Sequence, residues 1–113
     1  MTVVERFLKL VSYPTASDEA SETCPSTARQ LALAQELSMP VVIHEREAHE
    51  DGLRILEEFP DVHGVFHCFS GSYEMAKELV KRGWYIGFTG VVTFKNARKA
   101  VESAANIPLD RIL

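Results

Sequence analysis

Twice in this chain a short apolar run ends in a histidine and gives way to a helical pattern, and no other feature constrains the fold as much. In Val65-Phe66-His67-Cys68-Phe69-Ser70-Gly71-Ser72 the apolar and aromatic residues stop at small turn formers, and a helical pattern from Tyr73 to Arg82 follows at once. That order reads as a buried strand, a tight turn and a covering helix, the unit from which parallel sheets are built. Val41-Val42-Ile43-His44 repeats the grammar and leads through Glu45-Arg46-Glu47-Ala48 into another helix. Folds of the α/β class collect ligands and metals at the carboxyl edge of the sheet. Two strands that each deliver a histidine to that edge are therefore the strongest chemical signal.

Composition narrows the setting. A length of 113 residues implies one small domain or a piece of a larger one, and 46% apolar with 25% charged residues is ordinary for a soluble globular protein. The net charge of −4 argues against a surface that coats nucleic acid generally. It leaves room for a phosphate substrate held by metal ions, which bring their own positive charge. Cys24 and Cys68 are too few for a disulfide framework, and Cys68 falls inside an expected strand, so reduced thiols and a cytoplasmic location are expected. No apolar run reaches the roughly 18 residues of a membrane span and no basic-then-apolar leader opens the chain. A soluble protein without a membrane partner follows as an expectation.

Taken in order, residues 2–12 predict an amphipathic helix, with Thr2 and Glu5 at capping-box spacing and Val4, Phe7, Leu8 and Val11 on one face. Pro14 ends it, and Thr15 to Cys24 reads as a polar loop. Thr27 and Gln30 offer a second capping box for a helix to about Leu37. Strands are expected at Val41 to His44, Val65 to Phe69 and Trp84 to Thr89. Helices are expected from about His49 to Phe59, Tyr73 to Arg82 and Asn96 to Ala105, the last presenting Ala97, Ala100, Val101 and Ala104. Pro108 to Arg111 reads as a turn and Ile112-Leu113 as the opening of a fourth strand. Parallel βα units of this number leave open sheet edges, which suggests a chain cut from something larger and a homo-oligomer joined through those edges.

From Arg29-Gln30-Leu31-Ala32-Leu33-Ala34 through Pro40 to Ala48, Gly64 to Ser72, Val92 to Ala97 and Pro108 to Leu113, the sequence resembles the middle of TatD-type metal-dependent deoxyribonucleases. The resemblance implies a parallel βα chain forming part of a TIM-like (β/α)8 barrel, and a divalent-metal phosphoesterase acting on DNA. It implies ligands from an early His-x-His strand, a Glu on a middle strand, two later strand-end histidines and a late Asp. Only the two histidines carry over, onto His44 and His67 as metal ligands; the remaining ligands would lie before Arg29 and just past Leu113. The metal would be Mg, Mn or Zn, weakly bound. Residues 1–28 are instead similar to the start of peptidase T-like tripeptidases, through Val4-Glu5-Arg6-Phe7-Leu8-Lys9, Ser12-Tyr13-Pro14-Thr15 and Ser21 to Thr27. Together the two resemblances describe a chimera: a helix and loop of peptidase-like origin, then a partial barrel over residues 29–113.

Each chemical residue also has a plainer role. His44 and His67 can be hydrogen-bonded strand-end histidines, and Arg46 can be a salt-bridged loop residue rather than a substrate-binding clamp on a phosphate. Glu45 points away from His44 if the strand alternation continues. His49 and His63 read as exposed loop residues, Ser70 and Ser72 as helix caps, and Cys68 as core. Two functional classes stay open. One is metal-dependent phosphodiester hydrolysis on DNA, incomplete in this chain; the other is an inactive chimeric fragment that serves as an assembly module.

Overall fold

A computed structural model describes residues 1–14, 20, 29–44 and 49–113. The loop expected from Thr15 to Cys24 lies, apart from Ala20, outside the described residues, as do Thr27, Glu45 and Arg46. The order of elements is α1 (Val3–Ser12), α2 (Arg29–Leu37), β1 (Val41–His44), α3 (His49–Glu58), β2 (Gly64–His67), α4 (Tyr73–Lys81), β3 (Tyr85–Ile86) and α5 (Arg98–Asn106). Short 3-10 turns occupy Gly90–Thr93 and Leu109–Arg111. The strands form a parallel sheet in the order β1-β2-β3, and Ile112 bridges to Ile86 in the same direction. The expected fourth strand thus begins where the sequence placed it.

Strand alternation divides the sheet into two faces. Ile43, Phe66, Ile86 and Ile112 lie in one row across it. They meet Leu31, Ala34, Leu56, Met75, Ala76, Leu79, Trp84 and Ile107 in a single apolar core. Phe66 and Trp84 are each 2% exposed and meet edge to face at 5.1 Å between ring centroids, a geometry that adds about 0.5–1.5 kcal/mol to the burial itself. Val42 and Val65 belong to the opposite face, with His44 and His67 two residues further along each strand. Val42 stays 70% exposed there.

Local chemistry sets the helix ends. Thr2 and Glu5 form the expected capping box, with Thr2 Oγ1 accepting from the Glu5 amide at 3.1 Å and Glu5 Oε2 accepting from the Thr2 amide at 2.6 Å. The bonds from Thr2 lower the Glu5 pKa below its ordinary value. A depressed carboxylate stabilises above its unfolded pKa, so this cap is intact at neutral pH and lost as acid protonates Glu5. The apolar face of α1 is nevertheless exposed, and no residue of the helix is buried. Ser72 caps α4 by accepting from the Met75 amide at 3.2 Å. Ser72→Ala should cost about 1 kcal/mol, read as a fall in melting temperature of roughly 4–8 °C.

Three sequence expectations shift, the first being the third strand, which spans Tyr85–Ile86 rather than Trp84 to Thr89. β2 ends at His67 rather than Phe69, because Cys68 adopts a left-handed conformation with φ of 59°. Phe69 is buried all the same, packed edge to face on Phe88 at 6.2 Å. In α5, Ser103 rather than Val101 turns inward; its hydroxyl donates to the Lys99 carbonyl at 2.9 Å, so the helix satisfies its own buried polar group.

Candidate functional site

The two histidines meet. His44 and His67 are direct register partners at the carboxyl ends of β1 and β2, and their ring centroids lie 5.8 Å apart at an angle of 45°. Both are exposed. Their juxtaposition begins three residues earlier, where Val41 pairs with Gly64. A Cβ on Gly64 would lie 1.8 Å from the Val41 carbonyl oxygen, so only glycine lets β1 approach this closely. The strands then run in register to the histidine pair.

Beyond His67 the chain turns under several constraints. The Phe69 amide donates to the Gly87 carbonyl at 3.0 Å and the Gly87 amide to the Phe66 carbonyl at 2.8 Å. Cys68 Sγ and Thr89 Oγ1 form a hydrogen bond at 3.1 Å, tying this turn to the segment after β3. Cys68 is half-buried at the rim and not in the core as the sequence suggested. Gly87 sits beside the same turn; a Cβ there would meet the His67 Cα at 3.5 Å. The site reading from sequence passed over Gly87 and Thr89. A glycine inside an otherwise apolar and aromatic strand is the signal that could have found the first, since it marks close approach.

His63 is exposed at the opposite end of β2, with Nδ1 3.5 Å from the Asp61 carbonyl oxygen. His49 opens α3 rather than lying in a loop. Ser72 takes the capping role expected of it, whereas Ser70 is exposed in the turn. Among the described residues no group of three or more His, Cys, Asp or Glu could hold an ion. The donor chemistry of the His44–His67 pair suits a divalent cation, since neutral imidazole is a common ligand for such ions, and two such donors would make up only part of a coordination shell.

Comparison with known proteins decides the lineage. The family described as "TatD related DNase" matches residues 10–113. This chain belongs to the TatD-related DNase family. It is 49% identical over 86 residues to the "Uncharacterized metal-dependent hydrolase YabD" of Bacillus subtilis, covering 74% of this chain and 34% of that protein. It is 46% identical over 89 residues to the human "3'-5' RNA nuclease TATDN2", covering 75% of this chain and 12% of that one. The crystal structure of YjjV, a TatD homologue from Escherichia coli, superposes with a TM-score of 0.68 at 34% identity, over 75% of this chain and 33% of that one. The fold is accordingly α/β, with parallel βα repeats that match part of a TIM-like barrel. This TatD-family chain spans about a third of the length of YabD. Its relatives YabD and YcfH are named metal-dependent hydrolases.

Proposed function

We propose that this chain contributes a metal-holding rim to a TatD-type phosphodiesterase acting on DNA, with His44 and His67 as two imidazole ligands to Mg, Mn or Zn. The observation that carries the reading is the register pairing of the two histidines at one sheet edge, with 5.8 Å between rings. When bound, such ions activate water and offset charge on the phosphoryl oxygens. The chain's own part is to hold the two imidazoles side by side on neighbouring strands. Arg46, outside the described residues, follows His44 closely in sequence and is proposed to hold a substrate phosphate.

Two imidazoles fall short of the three protein ligands of a catalytic zinc. Binding should therefore be weak, and this chain by itself should nick DNA little or not at all. Titration calorimetry with Zn2+ or Mn2+ on the purified chain tests the site. A weak heat of binding that disappears in both His44→Ala and His67→Ala supports it, and undiminished binding in both variants removes it.

The second reading, an assembly module, is favoured by the edge of β1, which has no strand partner among the described residues. A second copy would cover that edge and the exposed Val42. Light scattering should then report a dimer or larger species at high concentration, and a monomer throughout would end this reading. The boundary near residue 29, with a segment of peptidase-like origin before it, belongs to the same proposal; the family match from residue 10 onward runs across that boundary, although α1 buries none of its residues.

A further inference from the structure

Parallel strands exchange their bonds in an even rhythm, and β2 departs from it beside His67. The register that sets Phe66 against Ile86 would set Gly87 opposite His67. In an even ladder Gly87 would then bond to the residues on either side of His67, Phe66 and Cys68. The Gly87 amide does donate to the Phe66 carbonyl, but the Gly87 carbonyl accepts from the Phe69 amide instead. β2 thus carries one extra residue at this point, and Cys68 absorbs it with φ of 59°. Such an insertion is a bulge, a device that re-aims side chains and ends pairing.

The insertion decides what shares a face with His67. Strict alternation after Phe66 would return Cys68 to the core and turn Phe69 onto the face of Val65 and His67. With the extra residue Phe69 rejoins the core, 5% exposed and packed on Phe88. The rim beside the imidazole is left to a small thiol in place of a phenyl ring.

A residue with a Cβ resists the left-handed geometry, so the bulge needs an anchor. The hydrogen bond between Cys68 Sγ and Thr89 Oγ1 at 3.1 Å is placed to supply it. Thr89 stands immediately before the 3-10 turn at Gly90–Thr93, where a threonine hydroxyl ordinarily caps the turn that follows. Here it makes no capping bond. Its hydroxyl is turned to Cys68 instead.

We infer that Thr89 is a positioning residue for His67: through Cys68 its hydroxyl locks the bulge that sets the His67 imidazole beside that of His44 and keeps Phe69 off the rim. The inference rests on the metal reading of the histidine pair for its purpose, but the geometry it asserts exists without metal.

Proton NMR of the whole chain, with a chelator in the buffer, reads that geometry as cross-relaxation between the ring protons of His44 and His67. The cross-peak should be present in the unaltered chain and in Thr89→Ser, which keeps the hydroxyl. Thr89→Val keeps the shape without the hydroxyl and should lose most of it. Cys68→Ala breaks the same bond from the other side and should do likewise, so it decides the matter if Thr89→Val does not fold. The two changes together should lose no more than either alone, because they remove one interaction. Calorimetry with Zn2+ should show binding weakened about 10-fold in Thr89→Val and recovered in Thr89→Ser; a merely structural tie would lower the melting temperature and leave the affinity of the folded chain unchanged.

The role is overturned by a cross-peak absent from the unaltered chain, by one that persists in a folded Thr89→Val, by additive losses in the double variant, or by equal zinc affinity in Thr89→Val and the unaltered chain. If the unaltered chain binds no zinc, the metal reading falls and the cross-peak still judges the bulge. If zinc binds and the cross-peak ignores Thr89→Val, the bulge lock falls and the metal site stands.

Discussion

Gly64→Ala should unfold the start of the sheet. The new methyl carbon would stand 1.8 Å from the Val41 carbonyl oxygen, 2.7 Å from its nitrogen and 2.8 Å from its carbonyl carbon. All three are backbone atoms, so no side-chain rotation relieves the contact. Either β1 is pushed away, losing the bond from the Val41 amide to the His63 carbonyl at 3.0 Å, or the strands slip. A slip of one residue would turn His44 to the opposite face. Overpacking of this kind costs about 3 kcal/mol or more, a large part of the 5–15 kcal/mol that holds a typical domain together. Thermal melts followed by far-UV circular dichroism check it. A melting temperature within about 2 °C of the unaltered protein would mean that β1 is not anchored here. The glycine therefore acts on the chemistry at a distance, through register.

Phe66→Ala should be comparably severe, and it reaches the site from the other side. Phe66 is the residue before His67, lies between Ile43 and Ile86 in the central row, and packs on Trp84. Removing a buried phenyl ring costs about 3–5 kcal/mol, through lost burial and the cavity left behind. Urea titration should show the midpoint falling sharply, while Phe66→Leu should recover most of the loss because it keeps much of the volume. Metal binding should fall in step with the folded fraction, although no proposed ligand has been altered. Retention of a full, unchanged metal heat in an unfolded Phe66→Ala chain would show that the histidines need no sheet to meet.

The architecture was legible because the chain repeats one unit with its punctuation intact. Apolar runs at Val41 and Val65, Pro40 before one and the turn formers after the other, and the periods of Leu53-Leu56 and Met75-Ala76-Leu79 place the strands and helices to within a residue or two, apart from β3, which stops at Ile86 rather than Thr89. The pairing of His44 with His67 followed from both ending parallel strands. What escaped was conformational rather than compositional. Phe69 is apolar and reads as strand, yet it is buried under a turn that a left-handed Cys68 creates, a conformation sequence pattern does not favour for a non-glycine residue. Ser103 was passed over as core because hydrophobic periodicity ignores a hydroxyl that bonds to its own helix. The amphipathic pattern of α1 predicted the helix but not its burial, since a pattern shows that a face is apolar without naming what covers it.

Trp84 gives the molecule an optical reporter. It is the one tryptophan of the chain, it is 2% exposed, and the edge-to-face contact with Phe66 places it a single residue along β2 from His67. An indole so shielded from water should emit at short wavelength, and its emission should move to the red when the sheet comes apart. Tyr85, the next residue, is stacked under the guanidinium of Arg111 at 5.0 Å, while the Arg111 side chain also donates to the Gly83 carbonyl at 3.3 Å. The indole is thus bracketed by a clasp between the last turn of the chain and the entry to β3. Its colour should follow the closing of that clasp as well as the integrity of the core, so a change near either end of the sheet becomes visible without a label.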